Sequence, residues 1–148
     1  MDGLALAQSD IPFDLLDQLR PRVHERGGEM EIRFLRRAKR PLLPVWHCGQ
    51  FRLVAWGSKS GKLPRSGLTW QRTIDAGGWQ PYGAEPVEIP ASLGLDGGVW
   101  YRIRQGIRGL IVETPSETAV YVIVEPASHY YRVMTRRERM PMLIGERI

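Results

Sequence analysis

ETAVYVIVEPASHYYRVMTRRERMPMLI, residues 117–144, holds an abrupt contrast. "ETAVYVIVEP" reads as a strand, rich in β-branched residues and closed by Pro126. "PASHYYRVM" then has the look of a helix opening at that proline. Arg136, Arg137, Glu138 and Arg139 form a charged knot, and the apolar run Met140-Pro141-Met142-Leu143-Ile144 follows at once. Either the knot is a solvated turn before a last strand, or that strand delivers charged side chains to a site. The apolar run predicts a buried strand over 139–144, beside the one at 119–125.

The flanking sequence is also strand-rich. Residues 29–35 alternate, with Met30, Ile32 and Phe34 on one side and Glu31, Arg33 and Leu35 on the other, which is the period of a strand. "PLLPVWHC" and "QFRLVAWG" suggest a hairpin turning at Gly49-Gln50. "PVEIPASL" reads as one strand. So does "YRIRQGIR", with Tyr101, Ile103 and Ile107 on a dry face and Arg102, Arg104 and Arg108 on a basic one. "SDIPFDLLDQLR" predicts a helix capped at Ser9 or Asp10 and ended by Pro21, and "LTWQRTIDAGGW" a short helix stopped at Gly77-Gly78. Many strands with two or three short helices predict an α+β class. The sheet is mainly antiparallel and barrel-like or folded over, in a single domain spanning 1–148.

The chain of 148 residues carries a net charge of +5. A pI near 9.8 favours polyanionic partners. Arginine outnumbers lysine, and arginine is the better reader of phosphates and bases. No apolar stretch approaches the roughly 20 residues of a membrane span, and residues 1–10 lack a signal-peptide pattern. No membrane association is expected, and the cytoplasm is the default location. Cys48 is the only cysteine, which rules out disulfides within the chain.

Weighed as chemistry, most motifs fail. "GSKSGKL" has three residues between its glycines and Leu63 after Lys62, so it is a basic loop and not a phosphate cradle. His24, His47 and His129 lack metal-ligand spacing, and neither a metal nor a cofactor is expected. His47 and Cys48 are adjacent; on a strand they would point to opposite faces, and Cys48 fits a small buried residue. Trp46 and Trp56 on neighbouring strands, beside Arg36, Arg37, Lys39 and Arg40, suit single-stranded nucleic acid: stacking tolerates any base and cations track the backbone.

Three segments resemble the SOS-response-associated peptidase family, whose members act on abasic sites in single-stranded DNA. They are "PLLPVWHCGQFRLVAWG", "VEIPASLGLD" and "VYVIVEPASHYYRVMTRRERMPMLI", in the family's order and within residues 41–144. Arg139-Met140-Pro141 followed by Met-Leu-Ile is the most specific match. The resemblance implies a related fold, a DNA groove and a role in the DNA damage response. It places Asp96 at the family's catalytic glutamate and Arg137 at its histidine, two residues before Arg-Met-Pro. The family's reactive cysteine follows Met1; here that residue is Asp2, and no amine or thiol of that kind is expected. Arginine cannot shuttle protons at neutral pH.

The resulting expectation is a divergent, phage-related form. It would bind single-stranded or damaged DNA through Arg36, Arg37, Arg40, Trp46, Arg102, Arg104 and Arg137, without covalent crosslinking and leaning away from enzymatic activity. The alternatives are a crosslinking enzyme with a displaced nucleophile, Cys48 being the only thiol, and an interaction protein that uses the fold for self-association.

Overall fold

The computed structural model describes residues 1–148. Its α+β chain is dominated by β-structure in two sheets. The first holds β1 (Gly3–Ala7), β2 (Val23–Arg26), β3 (Glu29–Leu35), β8 (Leu93–Asp96) and β9 (Val99–Arg102), in the order β2-β3-β1-β8-β9. The second contains β4 (Leu42–His47), β5 (Gln50–Trp56), β7 (Glu85–Pro90), β10 (Gly106–Glu113) and β11 (Thr118–Pro126). Because β10 pairs with both β7 and β11, these strands close into a ring in the order β10-β7-β4-β5-β11. Closure removes the open edges that a flat sheet would expose. The short strands β6 (Leu68–Trp70) and β12 (Arg139–Pro141) are attached to β11.

β11 shows why the fold forms. Val120, Val122 and Val124 point into the main core, which is shared by both sheets, while Ala119, Tyr121 and Ile123 enter a second cluster with Leu63, Trp79, Leu110 and Val112. Side chains alternate along a strand, so an apolar residue at every position from 119 to 124 means burial on both faces. The loop and short helix before β7 supply the outer cover through Leu63 and Trp79.

Several sequence expectations are revised. Residues 8–22 form three 3₁₀ turns instead of one helix. Pro12 and Pro21 each remove a backbone donor from a short segment, and Phe13 is left 89% exposed while Leu19 enters the core. The single strand expected in "YRIRQGIR" is two: β9 ends at Arg102 in the first sheet and β10 begins at Gly106 in the second. "PVEIPASL" likewise changes sheets after Pro90, and Ser92 donates its N–H to Ala5. The run at 139–144 is strand only over 139–141, beside residues 124–126; Leu143 then bridges to Ile107. Met140 and Leu143 are buried, as the apolar pattern requires.

Helix α1 (Gln71–Asp75) is one turn, and α2 (His129–Thr135) is the longer. α2 opens at Ser128, whose Oγ accepts from the Tyr131 N–H, and closes at Arg136 in the left-handed conformation. Pro126 is therefore the end of β11, not the helix start. The charged knot is a tight return from helix to strand. Its backbone is satisfied: Arg136 N–H donates to Arg132 and Glu138 accepts from Ala127.

Candidate nucleic-acid interface

The knot sends one side chain inward. Arg137 Nε lies 3.3 Å from Asp96 Oδ1, and an Arg137 terminal nitrogen donates to Asp2 Oδ2 at 3.2 Å. Three distant segments meet here. Asp96 ends β8 and is 1% exposed. The turn that follows uses Gly97 and Gly98, both with positive φ. A Cβ on Gly97 would stand 2.0 Å from the Thr135 carbonyl oxygen, so only glycine lets this hairpin press against the end of α2.

That close approach brings Asp96 to two buried phenols. Tyr131 donates to Asp96 Oδ2 at 2.6 Å, and the Tyr101 and Tyr131 hydroxyls are 3.2 Å apart. Burial, reinforced by the neighbouring phenol and Asp96, pushes the Tyr131 pKa far above that of free tyrosine. Burial likewise raises that of Tyr101. The α-amino group of Met1 lies 3.6 Å from Asp96 Oδ2. Burial lowers its pKa despite the opposing pull of Asp96. Asp96 Oδ1 accepts no hydrogen bond, so Arg137 holds it by charge.

Beside this centre the surface is concave and basic. Residues 35–40 run between two concavities, of about 590 Å³ and 460 Å³, and Leu35 lines both. The first is walled by Asp2, Arg36, Arg37, Leu95 and Gly98. The second is walled by Arg22, His24, Arg33, Lys39 and Arg40 among others. Arg22, Arg37, Lys39 and Arg40 have no carboxylate within ion-pair distance. Arg33 shares the Glu31 carboxylate with Arg26.

The residues expected to contact nucleic acid divide accordingly. Arg36, Arg37 and Arg40 line the paired concavities, and Arg137 joins them through Asp2. Arg36 is already occupied: it donates to the carbonyls of Trp56, Arg65 and Ser66, holding the 57–67 loop. Trp56 is 1% exposed and donates its indole N–H to Gly67, so it cannot stack on a base. Trp46 is 44% exposed but sits elsewhere, over a groove with Gln71, Glu88 and Arg108. Arg102 and Arg104 are exposed and line neither concavity; the sheet change between them breaks the expected basic face. Arg22 was not singled out from sequence. Its only local signal is its place directly after Pro21, where the chain turns back.

Cys48 also departs from expectation. It is exposed, with φ 51°, in the two-residue turn between β4 and β5. Off the strand, its sulfur is not forced away from His47.

Comparison with protein-family models, curated proteins and solved structures finds no match to this chain.

Proposed function

We propose that this protein binds single-stranded DNA reversibly, with the phosphate backbone lying along the two concavities on either side of residues 35–40. The observation that carries the reading is the set of cations Arg37, Lys39 and Arg40, none with a carboxylate partner, along two concavities that share Leu35. Unpaired cations are free to exchange counterions for phosphates, and that release drives binding. Leu35 contributes an apolar floor between the charged walls.

The resemblance to abasic-site proteins gives this recess its context. The positions that resemblance assigns to catalysis, Asp96 and Arg137, lie with Asp2 beside the recess, tied to each other. Asp2 accepts from the Gly97 N–H and from Arg137, and a carboxylate there cannot attack an aldehyde as a thiol does. The network organises the wall of the site and supplies no thiol.

The test is anisotropy titration of a labelled single-stranded oligonucleotide with the native protein and with Arg37→Ala/Lys39→Ala/Arg40→Ala. Native binding at low salt that weakens at least tenfold in the variant supports the reading; no binding by the native protein overturns it. A parallel incubation with abasic DNA, read on a denaturing gel, should show no adduct. A gel-stable adduct would favour covalent chemistry at this centre instead.

A further inference from the structure

At the far end of β4, the β4–β5 turn brings three different donor groups together. One ligand atom each from His47, Cys48 and Glu85 lies within 4.8 Å of the others. We infer that this cluster is a binding site for a thiophilic divalent cation, zinc in particular. It is independent of the DNA reading.

The donor chemistry favours zinc. Imidazole, thiolate and carboxylate are its protein ligands, and a thiolate disfavours calcium and magnesium. Zinc bonds of about 2.0–2.3 Å place neighbouring tetrahedral ligand atoms roughly 3.3–3.8 Å apart. Closing from the present spacing needs only side-chain rotation, since Cys48 and Glu85 are both exposed. The fourth position would be left to water.

A second feature supports the assignment. His47 Nε2 faces Glu85 Oε2 at 2.8 Å, while Nδ1 faces Glu113 Oε1 at 3.3 Å. Glu113 is itself held by Arg52 at 2.7 Å. A metal-bound imidazole characteristically donates its other N–H to a carboxylate, which orients the ring. Here Glu113 is in that place, and Glu85 is on the ligand side. Without metal, Arg52 donates to Nδ1 and Nε2–H donates to Glu85. On binding, the Arg52 N–H turns off Nδ1 and stays on Glu113, the ring proton moves from Nε2 to Nδ1 to face Glu113, Nε2 takes the cation, and the Cys48 thiol releases its proton to solvent.

Cys48 is the only thiol in the chain, so its reactivity reports the site without interference. The experiment follows the rate of Cys48 modification by a chromogenic disulfide reagent, with and without stoichiometric zinc. The expected result is at least tenfold protection in the native protein. Protection should fall to near unity in His47→Ala and in Glu85→Ala, and weaken in Glu113→Gln. Magnesium should protect none of them. Circular dichroism of each variant checks folding, and Glu85→Ala alters only an exposed side chain. Unchanged reactivity with zinc, or protection in Glu85→Ala and His47→Ala as strong as in the native protein, overturns the site.

Discussion

Arg137 Nε stands 3.3 Å from Asp96 Oδ1, so a half-exposed guanidinium from the helix-to-strand return covers a carboxylate that is 1% exposed. Removing the cation would leave Asp96 Oδ1 buried and unpaired, at a cost of about 1–3 kcal/mol. Arg137→Ala should therefore lower the free energy of unfolding by that amount in urea. Asp96→Asn should also destabilise, and the double variant should lose less than the sum of the two, because the two residues share one interaction. Additive effects would mean that the contact contributes nothing.

Alkali should reach the same centre through its phenols. Burial raises the pKa of Tyr131 and of Tyr101. A folded-state pKa above the unfolded value of about 10 means that the native protein holds its protons more tightly. The associated stability is complete below about pH 10 and is lost as pH rises beyond it. Denaturant midpoints should be lower at pH 11 than at pH 9, and the difference should be smaller in Tyr131→Phe. Equal pH dependence in the two proteins would contradict this.

Acid acts on the outer face of the first sheet. Glu31 accepts from Arg26 at 2.7 Å and from Arg33 at 2.8 Å, and both guanidiniums lie over Trp100. Burial pushes the Glu31 carboxyl up, but the two arginines outweigh it and hold its pKa below the ordinary value. A depressed folded pKa gives stability that is present above the unfolded value of about 4.3 and is lost as pH falls through the folded one. Thermal melts from pH 6 to pH 3 should fall less steeply for Glu31→Gln than for the native chain, and parallel curves would count against the pairing.

Helix α2 needs its cap to present Tyr131 to Asp96. Ser128 Oγ accepts from the Tyr131 N–H at 3.1 Å. Ser128→Ala should cost about 1 kcal/mol, the usual value of such a cap, while Ser128→Asp should keep most of it. Urea denaturation of both variants distinguishes capping from packing.

Much of the β-structure was legible from residue patterns, because strand period and turn residues act locally. The hairpin at Gly49, the alternation over 29–35 and the burial of Met140 all follow from it. Sheet membership was not legible. Ser92 and Ile103 lie where the chain leaves one sheet for the other, and a short strand has the same period in either. Arg102, Arg104 and Arg108 therefore looked like one basic face and are not. At the site, the juxtaposition of Arg137 with Asp96 came from resemblance alone. Nothing in either local sequence encodes it, since Gly97 packing on Thr135 creates the approach. Cys48 was misread for the opposite reason: a residue in a left-handed turn does not follow strand alternation.

The salt dependence of single-stranded DNA binding tests the central claim most directly. Each phosphate neutralised contributes a log–log slope of about −0.7. Replacing Arg37, Lys39 and Arg40 by alanine should make the slope shallower by about 2, whereas Arg102→Ala/Arg104→Ala, outside the recess, should leave it unchanged. A native protein that binds with the same slope in both variants, or that gives a flat titration at low salt, would contradict the account.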